Sequence, residues 1–263
     1  MLENFCYCDS HFHLSECLKR EKSETILKKI DEFNEYYACT CAHSKEEWYE
    51  QQKAIEIIKE NNGDRKKVNI FSSFGLHPQN PLIENADFLE LLLKNNQISC
   101  VGESGFDLFT KEFRENLLEQ KKAFYIQVEL SIKYQKPLVL HVRKGSDFIF
   151  ENSKILSKVP VLIFHSFYGP SLEAFSILRK LPSSYFSFSK QILNGNKKSI
   201  SCIQNLPLEN LLLETDAPFQ TLKNENFTSF SEIKKIYEKA FSLRNELTPE
   251  KLKENFCRLF NFL

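Results

Sequence analysis

Eight times along 263 residues, a short apolar run is followed by a longer stretch whose apolar positions recur every three or four residues. The runs lie at 5–9, 35–41, 68–74, 97–103, 137–142, 160–165, 184–189 and 210–214. The helix-like stretches between and after them include 45–61, 113–135, 229–242 and 249–262, the last entered through Thr248-Pro249-Glu250, an N-cap followed by a first-turn proline. Strands that alternate with helices pair in parallel, because a parallel connection needs a crossover rather than a tight turn. Several runs are nearly continuous in apolar residues, as strands covered on both faces must be. Eight such units in 263 residues match the count and length of an α/β fold of one kind, the closed (β/α)8 TIM barrel. No glycine- or proline-rich linker interrupts the series, so one domain over 1–263 is expected.

Charge narrows the partners. Lysine plus arginine (35) equals aspartate plus glutamate (35), so no whole-protein basic field announces nucleic acid, and any polyanion must meet a local patch. The eight cysteines include two C-x-C pairs, Cys6/Cys8 and Cys39/Cys41, inside strand-like runs. They read as small buried hydrophobes with free thiols, not as a zinc knuckle or a disulfide framework. The N-terminal Met1-Leu2-Glu3-Asn4 lacks a secretory pattern, which places the expected location in the cytoplasm. No apolar run approaches the roughly 18 residues of a membrane span. No obligate protein partner is implied.

In a barrel of this kind the site is built at the C-terminal ends of the strands. All six histidines fall at such ends: His11 and His13 after the first run, His43 after the second, His77 after the third, His141 in the fifth and His165 ending the sixth. Glu103 ends the fourth run, and Glu214 and Asp216 end the eighth. In "DSHFHL" the two histidines are two residues apart, so their side chains point the same way from positions roughly 6.5–7 Å apart and can close on one metal. His43 is read as a satisfied core histidine. The set His11, His13, Glu103, His141, His165 and Asp216 has too many ligands for a closed four-coordinate zinc site. It suits two divalent ions sharing a carboxylate, with positions left for water and substrate, the arrangement of a metal-dependent hydrolase. The absence of a thiolate from the set fits zinc, manganese or magnesium.

The same stretches resemble the TatD-like metal-dependent deoxyribonucleases of the amidohydrolase-type barrels. The resemblance is carried in order by "DSHFHL", "GLHP" (75–78), "GESGFD" (102–107), "PLVLHVR" (137–143), "FHSFYG" (164–169), "YFSFS" (185–189), "LLLETDAP" (211–218) and "ENFCRLF" (254–260). It implies a two-metal hydrolase cleaving phosphodiester bonds of DNA, with exonuclease action on single-stranded or 3′ ends. It also implies that His11, His13 and Asp216 hold one ion, that His141 and His165 hold the other, and that Glu103 bridges them. Asp216 would take the proton of the attacking water, and His77 would contact the phosphate or stabilise the transition state. Arg143 would bind substrate likewise, or form a salt bridge with Glu214 or Asp147. After "ETDAPF" the family continues with a proline and an arginine, whereas this chain reads "QTLKNENFTSF" (220–230), which bears on substrate choice. Ser104 and Phe106 stand where the family commonly has a larger apolar residue and leucine.

Four loops on the expected catalytic face, 104–114, 142–147, 189–198 and 217–228, hold eight bases, among them Arg143, Lys144 and Lys190, against the four acids Asp107, Glu112, Asp147 and Glu225. The rim is therefore expected to be modestly basic. Phe12, Phe106, Phe109, Phe167, Tyr168, Phe219 and Phe227 lie in or near the same segments, most of them expected in the core and the remainder able to stack on unpaired bases. These features permit a single-stranded substrate without requiring it, and the resemblance makes single-stranded DNA the expected partner. The alternatives are a two-metal hydrolase of amide, ester or cyclic bonds in a small molecule or aminoacyl-tRNA, and a binding protein that has kept the barrel without its chemistry.

Overall fold

The computed structural model describes residues 5–62 and 67–260. Eight parallel strands run in sequence order around the sheet: β1 (Cys6–Phe12), β2 (Glu35–Ala42), β3 (Lys67–Phe74), β4 (Cys100–Asp107), β5 (Leu138–Arg143), β6 (Leu162–Phe164), β7 (Ser184–Phe188) and β8 (Leu211–Leu213). All eight expected strands are present, with helices between them. The sheet is drawn into a barrel where β1 meets the end of β8. There Asp216 N donates to His11 O at 2.9 Å and His13 N to Ala217 O at 2.7 Å. The buried Asp9 carboxylate fastens the same seam, accepting from Thr215 N (2.9 Å) and Thr215 Oγ1 (2.6 Å).

Two boundaries differ from the sequence reading in ways that matter for the site. β1 continues through His11 to Phe12, so His11 lies within the strand. β4 begins at Cys100 and runs on to Asp107, so Glu103 sits in its middle and not at its end. The β4–β5 register shifts between Val101 and Ser104, and this irregularity turns Glu103 toward the mouth. Gly105 permits it: its φ is +126°, and an added Cβ would lie 2.3 Å from His141 O.

Inside the barrel Cys39, Cys100, Val139, Ile163 and Leu212 pack together with Leu259 of the last helix, Pro249–Leu259. That helix closes the N-terminal end of the barrel. Thr248 Oγ1 accepts from Lys251 N (3.2 Å) and Pro249 sits in the first turn, as expected from the sequence. Asn255 Nδ2 donates to Leu208 O and Leu211 O, tying the helix to the start of β8. All eight cysteines are free and buried, with Cys6, Cys8 and Cys257 in one apolar cluster and Cys39 in another, so the core reading holds for these, whereas Cys41 lies beside His43. Among the described residues no helix is long and apolar enough to cross a membrane.

The stretch 113–135 is two helices, Lys111–Glu115 and Leu117–Tyr134, divided at Asn116. The longer one presents two buried glutamines to the barrel's upper edge. Gln120 pairs with Asp107 N (2.9 Å) and Asp107 O (3.1 Å), and Gln127 with Leu76 N (2.9 Å) and Leu76 O (3.1 Å). These amides satisfy backbone groups that leave the sheet ladder at the strand ends, where Asp107 and His77 are carried.

Candidate metal centre

At the C-terminal mouth all six histidines form a closed ring. Consecutive imidazole centroids are 4.8 Å apart for His11–His13, 5.4 Å for His13–His43, 4.8 Å for His43–His77 and 4.7 Å for His77–His141. The ring closes through His141–His165 at 5.2 Å and His165–His11 at 4.3 Å. Glu103, 1% exposed, stands at its centre. Its oxygens divide the ring in two. Oε1 faces His11 Nε2 (3.2 Å), His13 Nε2 (3.5 Å) and His43 Nε2 (3.2 Å). Oε2 faces His165 Nε2 (2.7 Å), His141 Nδ1 (3.4 Å) and His77 Nε2 (3.5 Å). Asp216 joins the first group, with Oδ1 3.5 Å from His13 Nε2 and 3.9 Å from His11 Nε2. Asp216 adopts φ +52°, a left-handed conformation uncommon outside glycine but tolerated by aspartate, at the seam where β8 closes on β1.

The donor set fits divalent ions. Two imidazole nitrogens each about 2.1 Å from one ion stand about 3.0–3.4 Å apart, depending on whether the geometry is octahedral or tetrahedral. His11 Nε2 and His13 Nε2 are 3.2 Å apart, and His141 Nδ1 and His165 Nε2 are 3.0 Å apart. The buried Glu103 Oε1 makes no hydrogen bond of acceptable geometry, although three ring nitrogens surround it. Such an atom is costly in a protein interior unless a cation meets it. Four overlapping triads bring ligand atoms within 4.8 Å of one another: His11–His13–Glu103, His11–His165–Asp216, His77–Glu103–His141 and Cys41–His43–Glu103.

Neighbours set the tautomers. Asp107, fully buried, accepts from His141 Nε2 (3.1 Å), which turns the Nδ1 lone pair toward Glu103. Glu214 Oε1 accepts from Ser166 N (2.7 Å) and lies 3.6 Å from His165 Nδ1 on the side away from Glu103. His77 Nδ1 accepts from Gln79 N (3.1 Å), so the proton of the neutral ring sits on Nε2, facing the cavity.

Electrostatics follow from crowding. Burial pushes the Glu103 carboxyl up, but the facing His165, His11 and His77 outweigh it and hold it well below the usual range. Burial likewise opposes ionisation of Asp216, and His13, His165 and His11 overcome it. Desolvation lowers His11, and brings His77 down to about 3 against the pull of Glu103. Asp107 is held low despite its burial by His141 and Gln79.

Every residue expected at the metal centre is therefore brought together, and so is His77. Arg143 lies at the cavity wall, but its partner is Asp107 (3.5 Å), not Glu214 or Asp147, and its guanidinium lies 4.3 Å from the Phe109 ring centre. The sequence reading missed three participants. His43 is within reach of Glu103 and is not a bystander in the core. Cys41 Sγ is 3.3 Å from His43 Nε2 while donating to Gly102 O (2.9 Å). Asp107 is buried support for His141, not a rim acid; its spacing of four from Glu103 on one strand was the available signal, since such positions share a face.

A cavity of about 1240 Å³ opens over this ring. Besides Glu103 and Asp216 of the ring, its charged lining is Arg143, Lys144 and Lys198 against Glu16, Glu47 and Glu173, so the expected excess of bases is absent there. Lys190 is fully buried and cannot contribute: its ammonium pairs with Glu225, with Glu232 (3.0 Å) and with Thr228 Oγ1 (3.2 Å). Phe12, Phe106 and Phe167 are core residues, whereas Phe109, Tyr168 and Phe219 are 42–50% exposed on the cavity wall.

A parallel barrel whose mouth gathers six imidazoles around ionised carboxylates is a metal-dependent hydrolase by class. The family model described as TatD related DNase matches residues 8–261, and the chain belongs to that family. An uncharacterized metal-dependent hydrolase of Mycoplasma genitalium is 32% identical over 235 residues, 82% of each protein. Another, of Mycoplasma pneumoniae, is 31% identical over 179 residues, 64% of this chain and 66% of its own length. A protein of Edwardsiella piscicida named 3′-5′ ssDNA/RNA exonuclease TatD is 31% identical over 155 residues, 57% of this chain and 58% of its own. The matched region thus spans less than two thirds of several curated relatives, down to about half of one. The crystal structure of a TatD homologue from Escherichia coli shares the fold, with a TM-score of 0.80 at 22% identity over 99% of both chains.

Proposed function

We propose that this chain is a single-domain, two-metal hydrolase that cleaves phosphodiester bonds of DNA, as an exonuclease on single-stranded or 3′ ends. The observation that carries the reading is the division of the ring by Glu103, whose two oxygens each face three imidazoles. In this reading His11, His13 and Asp216 hold one ion, His141 and His165 the other, and Glu103 bridges. Divalent ions there, zinc, manganese or magnesium, would acidify water and offset the charge of a phosphoryl group.

The chain's own residues supply the rest. Asp216 is ionised at neutral pH and accepts the proton of the attacking water. His77, neutral and protonated on Nε2, donates to a phosphoryl oxygen without bringing in a charge that must be neutralised. Asp107 and the Phe109 ring hold the Arg143 guanidinium at the cavity wall, where it meets the phosphate. Phe109, Tyr168 and Phe219 offer ring faces to unpaired bases. The similarity to the Edwardsiella protein named as a single-stranded DNA/RNA exonuclease supports a single-stranded polynucleotide as substrate. Free buried thiols support a cytoplasmic location.

One observation favours a second reading, hydrolysis of an amide, ester or cyclic bond in a small molecule or aminoacyl-tRNA: the cavity lining carries no excess of basic over acidic residues. Titration with labelled single-stranded oligonucleotides at rising salt separates the two. A nuclease binds with an affinity that falls steeply with salt as counterions are released. Weak, salt-independent binding would favour the small substrate.

A further inference from the structure

β2 repeats the spacing that sets His11 and His13 side by side on β1. Cys41 lies in the last turn of that strand's pleat and His43 just beyond its end, two residues on, so the two side chains leave the backbone on the same face. Cys41 Sγ is 3.3 Å from His43 Nε2, and His43 Nε2 is 3.2 Å from Glu103 Oε1. All three ligand atoms lie within 4.8 Å of one another. Around an ion with sulfur at about 2.3 Å and nitrogen and oxygen at about 2.0–2.1 Å, sulfur and nitrogen stand about 3.1–3.6 Å apart, and nitrogen and oxygen about 2.9–3.4 Å. Both distances fall in those intervals.

Hydrogen bonding does not account for the approach. The Cys41 thiol donates to Gly102 O at 2.9 Å, and the buried Glu103 Oε1 makes no hydrogen bond of acceptable geometry with His43 Nε2. A carboxylate oxygen has two lone pairs, so Oε1 can meet one ion beside His11 and His13 and another beside His43. One ion cannot serve all of these groups. With His11, His13, Asp216 and Glu103 it already has the four ligands of tetrahedral zinc, and Cys41 and His43 would fill even six positions, leaving none for water.

The surroundings suit a second ion on Oε1. Glu47 Oε2 accepts from His43 N (2.7 Å) and lies 3.9 Å from His43 Nδ1, so it favours a proton on that nitrogen and leaves the Nε2 lone pair for a metal. Burial and Glu103 hold the Cys41 thiol protonated, and a coordinating zinc ion displaces such a proton. Gly102 O then keeps the Ser73 hydroxyl at 2.5 Å, so no buried carbonyl is orphaned. A thiolate in the set selects zinc or a similarly soft divalent ion over magnesium.

We infer that Cys41, His43 and Glu103 Oε1 form a further zinc position, separate from that of His11, His13 and Asp216 and from that of His141 and His165. Three protein ligands leave one position of a tetrahedral ion for water or a phosphoryl oxygen, and His43 and Glu103 line the cavity. The inference rests on the two-metal reading for the occupants of the neighbouring positions.

The test uses chelator-treated full-length protein as wild type, Cys41→Ser and His43→Ala. Cadmium titration followed in the ultraviolet reads sulfur-to-metal charge transfer, and equilibrium dialysis against zinc with elemental analysis counts ions per chain. Cys41→Ser should lose charge-transfer intensity equivalent to one bound cadmium, and both variants should hold one zinc ion fewer than the wild type. Circular dichroism melts check folding; if Cys41→Ser, altered at a fully buried position, does not fold, the zinc count of His43→Ala decides. No charge transfer in the wild type, none lost in Cys41→Ser, or a wild-type zinc count in either folded variant would overturn the proposal. Failure of the two-metal reading has a different signature: fewer than two zinc ions left in the folded variants.

Discussion

Lys190→Met tests how the segment that follows β8 is held over the site. The Lys190 side chain has no solvent exposure, and its ammonium meets Glu225, Glu232 and Thr228 from the segment 217–232. Methionine keeps most of the apolar stem and its volume, so the change removes mainly the charge and its hydrogen bonds. Breaking a fully buried ion pair from one side costs about 3–5 kcal/mol, because the partner is left charged and unpaired. Here both carboxylates touch solvent, with side-chain exposures of 30% for Glu225 and 16% for Glu232. Each also keeps another donor, Leu222 N for Glu225 and Ser229 N for Glu232. Solvent screening and these donors reduce the cost to about 2–3 kcal/mol. At about 2–4 °C per kcal/mol for a chain of this size, the melting temperature should fall by about 4–12 °C in a circular dichroism melt. Phe219, Gln220 and Thr221 of the same segment line the cavity, so KM should rise more than kcat falls. A melting temperature within 1 °C of wild type, at unchanged cooperativity, would refute the reasoning (a threshold of about a quarter of the smallest expected shift). The loop would then be held by its backbone bonds, such as Thr228 N to Pro218 O at 2.9 Å.

Three further outcomes follow from the site. Asp107→Asn keeps the shape but weakens the acceptor for His141 Nε2, so zinc affinity measured by competition with a chromophoric chelator should fall about 10–100-fold; unchanged affinity would mean that His141 needs no orienting partner. Adding zinc or manganese to chelator-treated protein at a hundred times its dissociation constant should stabilise it by about 2.7 kcal/mol in a thermal melt, and a melt insensitive to every divalent ion would remove the metal centre. Thr248→Ala, at the cap of the last helix, should cost about 1 kcal/mol in urea titration without changing turnover, since that helix closes the opposite end of the barrel.

The strands were legible because several are compact apolar runs buried on both faces, and their eightfold alternation leaves few other architectures. The metal centre was legible because histidine is rare in this chain and its six occurrences share one topological position. What the sequence hid has physical causes. β4 was read three residues too early and stopped at Glu103, because Gly102-Glu103-Ser104-Gly105 carries no apolar alternation and its extended form depends on the close approach to His141. The break at Asn116 interrupts a periodic pattern without proline or glycine. Lys190 was counted as a rim base because a tally of loop charges is blind to burial; its partners lie 35 and more residues downstream. His43 was taken for a core residue because a single histidine after a strand has no local sign of the carboxylate it will meet.

The central claim is that Glu103 joins two ions into one hydrolytic centre acting on polynucleotide ends. Its most direct test is mononucleotide release from end-labelled single-stranded DNA by chelator-treated protein resupplied with magnesium, manganese or zinc, beside Glu103→Ala. A bridging Glu103 requires metal-dependent release by the wild type and loss of most turnover in the variant, with the variant's circular dichroism spectrum unchanged. Wild-type release by a folded Glu103→Ala protein, or none from folded wild type with any metal, would contradict it.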